Sequence, residues 1–212
     1  MSVTPPKQQT ISWGNYKNRL MIKRRIINIS AVFLLSLFLL SFYQKKDERI
    51  IWSKDRLLTW EDFKGKAPGS GPYGAITFSG IGRDFIYNNG LITLNTGAFF
   101  YPKKSWVKEK ARNEYLLKHE QVHFDITEIY ARKFRKKILE TKFKANGDKA
   151  KKKLLSLYSV VYKKWRAYQD LYDKETTFPI NKAKQLEWND RIARELKELE
   201  AYSEPEIIIK LK

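Results

Sequence analysis

From Ile26 to Gln44 the chain carries no charge, and Ala31-Val32-Phe33-Leu34-Leu35 and Leu37-Phe38-Leu39-Leu40 are continuous apolar runs broken only by Ser36. A helix over residues 26–44 spans roughly 28 Å, close to the ~30 Å hydrocarbon thickness of a bilayer. The pattern predicts one transmembrane helix there. Lys7, Lys17, Arg19, Lys23, Arg24 and Arg25 precede it with no acid among them, so the positive-inside rule predicts a cytoplasmic basic N-terminus (1–25) and a main domain (50–212) that is periplasmic or extracellular. A compact basic start at Met21 leaves a cleaved signal peptide, and hence a secreted protein, as the alternative. Leu40-Ser41-Phe42-Tyr43-Gln44 offers that alternative no small-x-small cleavage site.

Beyond Ile50 the pattern becomes that of a globular domain. Thr59 is placed to cap a helical turn at Trp60-Glu61-Asp62, and Ala67-Pro68-Gly69-Ser70-Gly71-Pro72 reads as loop. Ala75–Ile81, Asp84–Tyr87 and Leu91–Asn95 are strand-like, and Asn89-Gly90 between the last two is a hairpin signal because both turn residues tolerate positive φ. A small antiparallel sheet is expected over 75–99, with Glu206–Leu211 as a possible added strand. From Ser105, a plausible N-cap, no proline or glycine intervenes until Gly147, which predicts a long helix. Two more are expected over Lys149–Tyr172 and Lys182–Tyr202. The expected fold class is α+β, a small antiparallel sheet plus long helices, preceded by one transmembrane helix.

Composition changes this picture in two ways. A formal charge of +19 over 212 residues invites anionic partners such as acidic lipid or a cell-envelope polymer. The absence of cysteine excludes disulfides, thiolate ligands and a cysteine nucleophile. Positive charge is densest between Arg132 and Lys153, which reads either as a surface for anionic lipid or as the solvated ends of two helices joined near Asn146-Gly147. No nucleic-acid module is recognisable, and the predicted topology keeps this surface from DNA.

Both histidines of the chain stand in Lys118-His119-Glu120-Gln121-Val122-His123, a His-Glu-x-x-His motif inside the first long helix. Residues four apart share a helix face, so His119 and His123 can hold one Zn2+ while Glu120 acts as general base. A catalytic zinc takes three protein ligands and keeps one position open. With no third histidine, the third ligand must be a carboxylate, or the site is incomplete. Asp125 and Glu128 lie about 160° and 140° round the helix from His123, the wrong direction, and Glu128 is spaced to face Arg132 instead. Asp173, Glu175, Glu187 and Asp190 remain available on later elements, with Glu175 the expected ligand.

Leu58-Thr59-Trp60-Glu61-Asp62-Phe63-Lys64-Gly65, Ala75-Ile76-Thr77-Phe78-Ser79-Gly80, the motif continued to Phe124-Asp125-Ile126, and Tyr172-Asp173-Lys174-Glu175-Thr176 occur in an order that resembles a bacterial family of proposed secreted zinc-dependent proteases, domain of unknown function 922. The likeness runs from about Ile51 to Leu199. It implies a zincin-like peptidase domain acting on a peptide or protein outside the cytoplasm, with His119 and His123 as zinc ligands and Glu120 as base. The family pattern also implies a histidine shortly after Thr176, where this chain reads Thr177-Phe178-Pro179. Phe178 cannot bind a metal. Either a carboxylate substitutes, or the chain is a catalytically silent, membrane-tethered binding protein on the same fold.

Overall fold

The Asn89-Gly90 hairpin forms as its sequence demands. In the computed structural model, which describes residues 49–144, 146–176 and 181–211, Asn89 and Gly90 have φ of 46° and 78°. They join β4 (Asp84–Asn88) to β5 (Leu91–Asn95), and β8 (Glu206–Lys210) adds antiparallel to β5 with Leu94 opposite Ile207. Phe85, Leu94 and Ile207 thus share the inward face of this sheet by the two-residue alternation of strands.

The strands of 75–99 do not form one sheet. β1 (Ile50–Ile51), β6 (Ala98–Phe100) and β3 (Ser79–Ile81) make a second three-stranded antiparallel sheet with β6 at its centre, and β2 (Ala75–Ile76) pairs with β7 (Trp106–Val107). That last pairing moves the start of the long helix. Ser105 is not its cap: fully buried, its hydroxyl donates to the Tyr101 carbonyl at 3.0 Å and accepts from the Phe78 amide at 2.9 Å. Helix α1 begins at Glu114, where Asn113 Oδ1 accepts the Leu116 amide at 2.8 Å, and runs to Leu139. An N-cap must have extended backbone and a free acceptor, which Asn113 supplies, whereas the Ser105 hydroxyl is already engaged by Phe78 and Tyr101.

Helices α2 (Gly147–Thr176) and α3 (Lys182–Glu198) follow, the latter ending in a short 3-10 turn at Glu200–Tyr202. The fold is α+β, three helices and small antiparallel sheets among the described residues. Helix α1 is its axis, with strands β3 and β6 on one side and α2 and α3 on the other. Phe124, Ile126, Ile129 and Ala131 are wholly buried along it, and Phe124 packs on Phe100 of β6 with ring centroids 5.8 Å apart. Burying Phe124, Ile126 and Ile129 contributes roughly 1.5–3 kcal/mol each, which holds the motif helix at the centre of the fold.

Two expectations need correction. Residues 26–44 and the basic segment before them lie outside the described residues, and among the described residues no helix is long and apolar enough to cross a membrane. That finding overturns the single-pass placement. The basic run from Arg132 is also not wholly a surface: Arg132 and Arg135 are buried and both bond Glu128 Oε1, at 2.9 and 2.6 Å.

Candidate metal centre

Helix α1 carries His119, Glu120 and His123; α2 packs alongside and brings Asp173. The Nε2 atoms of His119 and His123 are 3.2 Å apart, and Asp173 Oδ1 lies 3.3 Å from the first and 3.0 Å from the second. Ligand atoms about 2.0–2.1 Å from a tetrahedral zinc stand roughly 3.3 Å from one another. The three donors therefore have the spacing of three corners of such a site, and they form a group able to hold a metal ion.

The far sides of both rings are fixed by glutamines. Gln169 Nε2 donates to the His123 carbonyl at 2.9 Å, which turns its Oε1 toward His123 Nδ1 at 2.6 Å. Gln185 Nε2 donates to Asn189 Oδ1 at 2.9 Å, and its Oε1 accepts from the Tyr172 hydroxyl at 2.7 Å and faces His119 Nδ1 at 3.1 Å. An amide oxygen only accepts, so each Nδ1 must carry a hydrogen. In the neutral rings both Nε2 lone pairs then point at a carboxylate oxygen. Such a convergence needs a cation or a proton at its centre.

The electrostatics agree. Burial alone would lower the His123 pKa, but the Asp173 hydrogen bond and the charges of Asp173 and Glu120 outweigh it and raise the value above that of an ordinary histidine. Burial would likewise raise Asp173, yet its contacts with His119 and His123 hold it far below the usual carboxylate range. Tyr172 is buried with its ring stacked on His119 at 4.7 Å, and burial pushes its hydroxyl well above the ordinary tyrosine value, so it stays a donor.

Glu120 is 3% exposed, and its Oε2 has no hydrogen-bond partner. The Tyr115 hydroxyl, one turn earlier on α1, is likewise buried without a partner. Both residues line a cleft of about 1000 Å³ that also reaches His119, His123 and Asp173. One wall is the run from Ala75 to Asp84, and the other is the face of α2 bearing Tyr158, Tyr162, Trp165 and Gln169.

Glu175, the expected third ligand, is not brought to the histidines. Its Oε2 accepts from the Trp188 indole at 2.9 Å, because two residues along a helix turn a side chain about 200° away from Asp173. Glu187 pairs with Lys184 at 2.6 Å, and neither it nor Asp190 lines the cleft. Asp125 and Glu128 do point away from the site: Asp125 accepts from Trp52 and Gln121, and Glu128 from two arginines. Phe178 lies outside the described residues. Sequence reasoning does not single out Gln169, Gln185 and Tyr172 for this role; the one available signal is that Gln169 and Asp173, four apart, share a face of α2.

An added carboxylate beside a His-Glu-x-x-His helix at the edge of an open cleft defines a candidate metal centre. Residues 102–179, which contain that helix and Asp173, match the family described as "Bacterial protein of unknown function (DUF922)", supporting the expected family without describing an activity. The protein named "Uncharacterized protein YfhO" of Bacillus subtilis (strain 168) is 33% identical over 80 residues, 38% of this chain and 8% of that protein. The chain thus spans less than a tenth of the length of that relative. No solved structure matches the chain.

Proposed function

We propose that the chain is a zinc-dependent, zincin-like peptidase whose metal is held by His119, His123 and Asp173. The observation that carries this reading is the convergence of two Nε2 atoms and one carboxylate oxygen at 3.0–3.3 Å, with both Nδ1 atoms committed to glutamine oxygens. Two neutral nitrogens and one carboxylate form a donor set suited to zinc, of the three-ligand kind that catalytic zinc sites use. When bound, zinc would lower the pKa of a water and polarise a substrate carbonyl.

The chain's own groups account for the proton traffic. Glu120 Oε2, shielded and unpartnered, accepts a proton from water on the cleft floor and returns it to the departing amine. Asp173 and the two glutamines keep the imidazoles oriented and hold their protons on Nδ1. The Ala75–Asp84 run positions a peptide: Thr77 Oγ1 donates to the Glu120 carbonyl at 3.1 Å, tying that run to the motif, and among the described residues β3 pairs on one side only, with β6, leaving an edge for an extended backbone.

The test is peptide hydrolysis by the zinc-loaded chain beside its Glu120→Gln form. The variant is expected to keep zinc and lose at least about a hundredfold in turnover. Zinc bound with no hydrolysis by either form would favour a silent binding protein on this fold.

A further inference from the structure

Three cations line the cleft along the Phe78–Arg83 run, and each is laid on an aromatic ring. Lys104 Nζ stands 4.9 Å from the Phe78 ring and 5.2 Å from that of Tyr101; the Arg49 guanidinium is 4.6 Å from Phe99, and that of Arg83 5.1 Å from Tyr158. All three are exposed, and no carboxylate of a described residue pairs with them. Asp84 lines the cleft next to Arg83; Arg166 and Asp170, which also line the cleft, pair with each other at 3.8 Å.

The order of these groups is fixed by the strand. Thr77 sits against Glu120, Ser79 bonds Thr127 one turn beyond His123 at 2.7 Å, and the Ile81 carbonyl meets the Tyr158 hydroxyl at 3.5 Å. The run therefore leads from the reacting centre past Lys104 on Phe78 and Arg49 on Phe99, the partner of Gly80, to Arg83. At ~3.3 Å per residue, Phe78 to Arg83 covers roughly 17 Å of extended chain. Gly80 and Gly82 keep its floor low, since a Cβ at Gly82 would lie 2.5 Å from the Phe99 ring. Cations held on rings lose little freedom on meeting an anion.

We infer that the cleft selects acidic peptides, whose carboxylates on one side of the scissile bond meet Lys104, Arg49 and Arg83. This deepens the peptidase reading and rests on it for the word substrate. The cation array itself is independent of zinc.

The test uses the full chain carrying Glu120→Gln, so that nothing is cut, and follows by fluorescence anisotropy the binding of labelled peptides differing only in bearing glutamates, glutamines or lysines. At about 0.1 M salt the glutamate peptide is expected to bind about tenfold more tightly than the glutamine one, and the lysine peptide more weakly than either. The preference should fall with salt. Adding Arg49→Gln, Arg83→Gln and Lys104→Gln together should abolish it, with Arg83→Gln alone reducing it. Because the whole chain is basic, a variant with Lys149, Lys151 and Lys152 changed to glutamine is the control, expected to keep the preference. Equal binding of the glutamate and glutamine peptides, or a preference lost in the control and kept in the cleft variant, overturns the inference. Repeating the titration without zinc separates the two readings: the preference should persist there, whereas failure of zinc binding would sink the peptidase reading alone.

Discussion

At the residue scale, Asp173 gives the motif its meaning. Two histidines bind many things weakly; a carboxylate oxygen 3.0 and 3.3 Å from both Nε2 atoms makes a three-donor set. Gln169 and Gln185 set the tautomers, so replacing either with alanine should weaken zinc binding about 10–100-fold, measured by competition with a chromophoric chelator. Asp125, on the opposite side of α1, behaves differently. Burial raises its pKa to about 6, although Trp52 and Gln121 donate to it and pull the other way. Unfolded, it releases its proton near 3.8, so the folded form binds more protons between about pH 4 and 6 and stability falls as pH rises through that window. Asp125→Asn should therefore stabilise the chain by roughly 1–3 kcal/mol at pH 7 and have little effect below pH 4, as read from urea unfolding. The histidines and Glu120 were legible because their spacing is a helix pattern. The choice between Asp173 and Glu175 was not, because it depends on the rotation of a different helix.

At the element scale, α1 holds both the site and the framework. One turn past His123 and on its other face, Glu128 Oε1 accepts from Arg132 and Arg135 in a buried cluster. Arg132 also donates to the Leu196 carbonyl at 2.8 Å and Arg135 to that of Thr96 at 2.9 Å, joining α1 to the end of α3 and to the turn after β5. Glu128→Ala would leave the buried Arg135 guanidinium without its carboxylate and Arg132 with Glu200 alone, and should cost roughly 3–5 kcal/mol in chemical denaturation. Zinc stoichiometry of the folded fraction should not change. The Glu128–Arg132 pairing followed from i,i+4 spacing, but the burial of those arginines did not, since the run from Arg132 to Lys153 looks uniformly solvated in sequence. The hairpin at Asn89-Gly90 was readable because its turn geometry is local. The start of α1 was not, because Trp106-Val107 is claimed by a distant strand, β2, and long-range pairing overrides the local helix pattern.

At the scale of the whole molecule, the cleft between the Ala75–Asp84 run and α2 joins the candidate metal centre to the cations along that run, so protons and stability are linked there and a bound metal would join them. Without metal, the His123–Asp173 pair stabilises the fold fully below the ordinary histidine pKa of ~6.5, and that contribution is lost as pH rises through the raised His123 value. In the proposed centre zinc would take the proton's place, so its apparent affinity should fall as pH is lowered through the same range. The thermal shift on adding zinc should accordingly be larger at pH 8 than at pH 6, by differential scanning calorimetry. The most direct test of the three-donor centre is zinc content per chain, measured by atomic emission after dialysis, for the parent protein and for Asp173→Ala and Glu175→Ala. The account predicts one zinc in the parent and in Glu175→Ala and its loss in Asp173→Ala. No zinc in the parent, or zinc kept by Asp173→Ala and lost by Glu175→Ala, would contradict it.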